Sequence, residues 1–430
     1  MTSTPTGSTV PALARRLTTS DATLIGVGSM VGAGLFTAFS PAAASAGSWL
    51  LLALLVAGVV AFCNAASSAQ LAAQYPTSGG TYVYGRERLG PWWGFVAGWG
   101  FVIGKTASCA AMALAFAVYV APPAWQRPVA AAVVVALVAV NYRGITRTAA
   151  LTRVLVTVVL VLLGVVLATT TVLRWGEPPL DGGVAAPGTG GVGGVLQGAA
   201  LLFFAFAGYA RVATLGEEVV DPTRTIPRAV ALSFAVVLPL YAVTAALLLH
   251  VLGPGATAAT RAPVHRLAEV AQGLDGWLSW VAVVAAAVAT LGALLALVAG
   301  VGRTTLAMAR EGDLPRALAA VHPRYAVPHV AELVLGVVVV VLVLLTDLRG
   351  VIGFSSFGVL TYYAVANASA LTQAAEHRRY PRPIAVLGLV GCLVLAWAVP
   401  LASLVAGALV LAVGLLGRLV VRRVRRSRHA

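Results

Sequence analysis

Twelve apolar runs divide the chain, near 22–46, 49–74, 91–119, 128–142, 151–174, 193–216, 229–252, 277–302, 330–346, 350–373, 384–398 and 400–420. Crossing about 30 Å of hydrocarbon at about 1.5 Å per residue takes roughly 20 residues. Lipid offers no hydrogen-bond partners, so a spanning run of this length is a helix. The runs predict an all-α membrane protein with 12 transmembrane helices, of which the fourth and eleventh are short. A content of 60% hydrophobic and 10% charged residues over 430 positions excludes a soluble domain.

The net charge of +15 would suit a nucleic-acid binder, but its placement points elsewhere. Of 29 Lys and Arg residues, counting Arg153, Arg174 and Arg418 at the run ends with the adjoining loops, 22 fall on alternate loops and the two ends, five on the opposite loops, and two, Lys105 and Arg211, within runs. This is the positive-inside pattern of a multi-pass protein of the cell membrane, with both termini cytoplasmic. The basic tail RRVRRSRHA reads as a contact for anionic lipid, and no nucleic-acid partner is expected. Cys63, Cys109 and Cys392 fall inside runs, so no disulfide framework is indicated. The polar segment 1–21 shows no cleavage site ahead of the first run and is expected to be retained.

Two runs are interrupted. The first contains IGVGSMVGAGLF at 25–36, with Gly26, Gly28, Gly32 and Gly34. Each glycine costs a helix interior about 1 kcal/mol relative to alanine. A break at Gly32-Ala33-Gly34 would set free amides against free carbonyls, which suits the carboxylate and ammonium of a zwitterion. Gly28-x-x-x-Gly32 as a helix-packing seam is the competing reading. The sixth run places Gly208 among Phe203, Phe204, Phe206 and Tyr209. Runs one to five and six to ten are thus two blocks of five, inverted because five is odd, and each opens with an interrupted helix. Such pairing points to a transporter site near the bilayer midplane. The expected organisation is an N-terminal segment 1–21, a first repeat 22–174, an outer loop 175–192, a second repeat 193–374, helices 11 and 12 over 375–420, and a basic tail 421–430.

Lys105 sits at the middle of the third run, where an ammonium needs protein, water or substrate around it. A structural cation held by helix-end carbonyls is its alternative role. Arg211 is expected at the interface or paired with Glu217 or Glu218. Ser67, Ser68, Gln70, Asn141 and Asn367 are candidate interhelical hydrogen-bonding groups. The six histidines show no metal-ligand spacing, and His265-x-x-x-Glu269 alone is a weak signal. No acidic residue falls at the middle of a run, so an intramembrane enzyme is not expected, and neither a metal nor a cofactor is required.

Three stretches carry a family resemblance: GVGSMVGAGLF at 26–36, YPTSGGTYVYGRERLG at 75–90 and FFAFAGYARVATLGEEVVDPTRTIPRA at 203–229. Together they resemble the amino acid–polyamine–organocation permeases along nearly the whole length. The resemblance implies the five-plus-five inverted-repeat fold of sodium-coupled neurotransmitter-type transporters, with broken helices 1 and 6. It also implies secondary transport of amino acids by alternating access. By motif, Gly32, Ala33 and Gly34 would bind substrate carboxylate and ammonium through backbone. Phe206, Ala207 and Gly208 would offer helix 6 backbone to the ammonium, Phe204 would be the aromatic gate, and Lys105 would face the substrate side chain. Val159 stands where some proton-coupled relatives have a lysine, and Ala210 where an acidic residue is common. The coupling partner (a proton, a sodium ion or a counter-substrate) is therefore left open, as is oligomeric state.

Lys105 favours a neutral or acidic amino acid. The alternatives are a cationic amino acid or polyamine permease or exchanger on the same scaffold, or a metabolite exporter. The charge asymmetry gives the first test. With cysteines placed at Gly188 and at Thr148 in a cysteine-free background, an impermeant maleimide applied to intact cells should label only the former. Labelling of the Thr148 variant alone inverts the topology.

Overall fold

The computed structural model describes residues 16–76, 79–143, 149–180, 190–273, 276–325 and 327–427. Thr77 and Ser78 of the second motif, most of the N-terminal segment, half of the 175–192 loop and the end of the basic tail lie outside the described residues.

The described chain is helical throughout, apart from one isolated parallel bridge between Leu17 and Val219. The first run forms three helices, α1 (Thr19–Met30), α2 (Ala33–Thr37) and α3 (Phe39–Ala46). Then follow α4 (Leu50–Gln74), α5 (Thr81–Leu89), α6 (Pro91–Val120), α7 (Gln126–Tyr142) and α8 (Ala149–Arg174). The second half holds α9 (Gly191–Phe206), α10 (Ala210–Ala213), α11 (Pro222–Leu247), α12 (Pro254–Ala259) and α13 (Pro263–Gln272). It continues through α14 (Trp277–Arg310), α15 (His329–Leu345), α16 (Leu348–Leu371), α17 (Arg382–Ala398) and α18 (Leu401–Ser427). Among the described residues nine helical stretches are long and apolar enough to cross a membrane, and α15 and α17 are shorter apolar helices. One of the nine, Phe39–Gln74, joins α3 to α4. Gly47, at φ 58°, turns the chain between them, so they are two rods.

Local chemistry sets the ends. Thr18 and Asp21 form a capping box that starts α1, with Thr18 N–H donating to Asp21 Oδ2 at 3.0 Å. Left-handed Gly90 followed by Pro91 starts α6.

The break in the first run lies one step earlier than the glycines suggested. Val31 and Gly32 leave the helix, while Ala33 and Gly34 already belong to α2. The sixth run departs further from expectation. Ala207–Tyr209 tighten into a 3₁₀ turn, and α10 resumes at once. Gly208 therefore does not open this helix; it lets α1 approach, since a Cβ there would lie 2.1 Å from the Ser29 carbonyl oxygen. At Gly34 a Cβ would lie 2.3 Å from the Cα of Ala205. The two interrupted runs thus touch backbone to backbone on both sides of the α1–α2 break.

Helix α6 is the axle. Its most apolar stretch is 83% buried, against 11% for α18, which places α6 inside and α18 at the rim. It packs on α16, α14, α15 and α7. Gly104 and Gly358 form its seam with α16, where a Cβ on Gly358 would come 2.7 Å from the Cα of Gly104. That seam fixes the rotation of α6 and so the direction of the next residue, Lys105. Gly28, offered as part of a packing seam, packs on α8, where a Cβ would lie 2.3 Å from Val156 Cγ2.

The polar groups within the bundle divide. Asn367 Nδ2 donates to Asn64 Oδ1 at 2.6 Å, and Asn141 Nδ2 to the Leu295 carbonyl at 3.2 Å. Gln70 Oε1 receives the amides of Arg379 and Tyr380, whereas the Ser67 and Ser68 hydroxyls have no partner among the described residues.

Glycine contacts supply a stability test. Gly34→Ala forces backbone against backbone and should cost about 1–3 kcal/mol, lowering the unfolding temperature in detergent. Gly164→Ala, whose Cβ meets nothing within 4 Å, should be neutral or slightly stabilising. Equal melting of both variants would contradict the contact.

Candidate functional site

A cavity of about 510 Å³ lies between α1, α6, α8, α9 and α14. Such a volume suits a small molecule. Its deep end is bounded by Gly34, Lys105, Met112, Phe204 and Gly208, and its other end by Leu17, Arg211, Glu218 and Arg303. Lys105 is 4% exposed and the Arg303 side chain 49%, so the second end is the mouth.

Of the eight residues expected by motif to bind substrate, four line this cavity: Gly34, Lys105, Phe204 and Gly208. The other four stand just behind. The Phe206 ring is turned to α11, stacked on Phe234 with centroids 5.9 Å apart, so only its backbone faces the break. Gly32 is wedged against Ala293 and Met112, and the Ala33 amide points at the Met112 sulfur at 3.2 Å. The Ala207 carbonyl accepts a hydrogen bond from Lys105 Nζ at 2.9 Å and one from Tyr363 Oη at 3.5 Å. Lys105 thus lines the cavity and also bonds the Ala207 carbonyl, the structural role the sequence offered as its alternative. The negative end of α9 is the natural place for that ammonium.

The break is tied down from neighbouring helices. Tyr241 Oη donates to the carbonyls of Met30 (2.8 Å) and Ala205 (3.0 Å), joining the end of α1 to α9. Tyr119 Oη donates to the Phe36 carbonyl at 2.8 Å, and its ring stands edge-on to Phe36. Helix α13 lies against this side, with His265 facing Tyr119. At the mouth, Arg211 lies 3.8 Å and Arg303 4.0 Å from Glu218 Oε1, while Arg153 of α8 pairs with Asp21. The two contacts to Glu218 are long and partly exposed and contribute little individually, so the mouth is lightly held.

Much of the wall is apolar, with Ile25, Val156, Val159, Val288, Ala289 and Ala293, and Ser29, Ser108, Asn141, Thr152 and Thr304 are polar members of it. Among the described lining residues the charged groups are Lys105 at depth and Arg211, Glu218 and Arg303 at the mouth. No group of three or more metal-ligating side chains occurs among the described residues. Sequence reasoning did not anticipate Met112, because an apolar residue in an apolar run carries no signal.

A cavity enclosed by apolar helices and built around a helix break defines a multi-pass membrane transporter. Residues 17–417 match the family described as amino acid permease, and the chain belongs to that family. It is a transporter of amino acids and not an enzyme. An uncharacterized transporter of Mycobacterium tuberculosis (strain H37Rv) is 58% identical over 420 residues, covering 96% of this chain and 94% of that protein. A branched-chain amino acid permease of Bacillus subtilis is 25% identical over 396 residues, covering 86% and 83%. The human cationic amino acid transporter 4 is 30% identical over 391 residues, covering 83% of this chain and 59% of that protein.

The wedge at Gly32 yields a test. A Cβ there would meet only side-chain atoms, Ala293 Cβ at 3.1 Å and Met112 at 3.3 Å, which can yield. Gly32→Val should still enter the membrane but lose uptake by roughly tenfold or more, about 1.4 kcal/mol of binding. Wild-type uptake by a well-inserted variant would remove the break from the site.

Proposed function

We propose that this chain is a secondary transporter that moves a neutral amino acid through the cavity by alternating access. The scaffold is read as 12 spans in two inverted blocks, with helix 1 formed by α1–α3 and helix 6 by α9–α10. Both termini are taken as cytoplasmic, which makes the mouth the inward opening. The carboxylate is read at the amides where α2 begins, and the ammonium at the carbonyls where α1 and α9 end, with Phe204 above them. Gly32, Ala33, Phe206 and Ala207 contribute through backbone.

The observation that carries the substrate preference is the pairing of apolar walls with a single deep charge, the Lys105 ammonium. Two unit charges about 4 Å apart interact by roughly 4 kcal/mol at an effective dielectric near 20. A charged Lys105 would disfavour a cationic side chain by about three powers of ten. The valine and alanine walls favour a compact apolar side chain over an acidic one, in keeping with the branched-chain permease among the relatives. The cationic transporter among them supports the other reading, in which Lys105 is spent on Ala207.

Competition of unlabelled amino acids against uptake separates the two. Wild type should be inhibited by leucine, isoleucine or valine and not by arginine or lysine, and Lys105→Met should admit the cations or lose transport. Strong arginine transport by wild type, unchanged in Lys105→Gln and Lys105→Met, would overturn the neutral assignment.

A further inference from the structure

Helix α6 touches both interrupted runs from one face. Lys105, Ser108 and Met112 line the cavity at the i, i+3 and i+7 spacing of that face. Lys105 Nζ is bonded to the Ala207 carbonyl, and Ser108 Oγ lies 2.7 Å from Ser355 Oγ of α16. Met112 goes to the opposite pole, where its sulfur accepts a hydrogen bond from the Ala33 N–H at 3.2 Å. A Cβ on Gly32 would lie 3.3 Å from both Met112 Sδ and Cε, so the thioether lies over a residue without a side chain. Met112 is 6% exposed.

The Ala33 amide opens a rod longer than α2 alone. Ala38, between α2 and α3, has helical dihedrals, φ −73° and ψ −21°. Bonds from Ala38 N–H to the Gly34 carbonyl (3.0 Å) and from Ala42 N–H to the Ala38 carbonyl (3.2 Å) carry the helix through it. Residues 33–46 thus form one helix of about four turns, and the sulfur of Met112 is the partner of its first amide.

A thioether sulfur is a weak acceptor, whereas a carboxylate makes charge-assisted bonds about twice as strong as neutral ones. Exchange of the sulfur for a carboxylate at this amide is therefore favourable. It is also mechanically simple. Methionine is unbranched with three rotatable bonds, so its tip can swing into the adjoining cavity while α6 stays in place. The reverse exchange matters as much, because a buried amide left unpaired is costly and the sulfur removes that cost as a carboxylate departs.

We propose that Met112 is a displaceable stand-in for the substrate carboxylate. Its sulfur holds the Ala33 amide, yields it to an arriving carboxylate and takes it back on release. The inference deepens the reading above, in which the carboxylate lies at the amides where α2 begins. Met112 thereby sets the affinity for ligands that carry a carboxylate and is indifferent to amines that lack one.

The test uses the full-length protein in lipid nanodiscs, with leucine as probe and isopentylamine as its counterpart without the carboxylate. The chain has four methionines, so a spectrum of the protein labelled with methyl-13C methionine is assigned by single substitutions. Saturating leucine should move the Met112 methyl signal and leave that of Met308, clustered with Tyr82 and Phe95 away from the cavity, in place. Isopentylamine at the same concentration should not reproduce the shift. Met112→Leu, similar in volume but without an acceptor, should bind leucine roughly three- to tenfold more tightly than wild type. Met112→Gln, whose amide oxygen is a stronger acceptor, should bind it roughly threefold or more weakly. The Gln variant and the wild-type spectrum decide the matter if Met112→Leu does not fold. A Met112 signal unmoved by bound leucine, or moved equally by isopentylamine, overturns the proposal. So does any other order of affinity, including equal weakening in both variants, which a methionine that only fills space would give. Absence of leucine binding and exchange by wild type overturns the reading of the cavity beneath it.

Discussion

Backbone groups freed inside hydrocarbon must find partners within the protein, and the break between α1 and α2 depends on this. Side-chain partners come from three neighbouring helices, α6, α11 and α16. The Met30 carbonyl takes the Gly32 amide and the Tyr241 hydroxyl, the Ala33 amide meets Met112, and the Phe36 carbonyl takes Tyr119. Across the contact, the Ala207 carbonyl takes Lys105 and Tyr363. Removing one of these leaves a buried polar group unpaired, at about 1–3 kcal/mol. The break is therefore a fixed part of the fold, and α6, which supplies Met112, Tyr119 and Lys105 to it, is also a wall of the cavity.

The cavity is built unequally at its two ends. The deep end is closed by aromatic rings, by buried hydrogen bonds and by α13. The mouth is closed by partly exposed ion pairs and by the bridge between Leu17 and Val219. Burial of apolar area is non-directional and strong, whereas partly exposed ion pairs are weak and exchangeable. The mouth is consequently the end that can change partners at low cost, and Glu218, which binds two arginines and the start of α1, is its hub.

Much of this was legible in the chain. Length and hydropathy locate the helices, because a backbone in lipid has one economical conformation, but α11 begins at Pro222, α14 runs to Arg310 and α18 to Ser427, beyond the apolar runs. Lys105 and Gly34 were legible for a similar reason, as a charge and a flexible residue where neither is free of cost. The sixth run differs in part. Its composition predicts a helix opened at Gly208, whereas that residue serves a close crossing with Ser29, and composition alone does not separate an opened helix from a crowded one. Met112 and the Gly104–Gly358 seam depend on which helix faces which, information that no single run contains.

The most direct measurement places a reporter on the cavity wall. Val159 lines the cavity, and the native cysteines Cys63, Cys109 and Cys392 are buried. A Val159→Cys protein should react with a small maleimide from the mouth side, and saturating leucine should slow that reaction by about tenfold or more, the effect of occupancy at ten times Kd. An unchanged rate under conditions where leucine is transported would place the substrate elsewhere and contradict the assignment of this cavity.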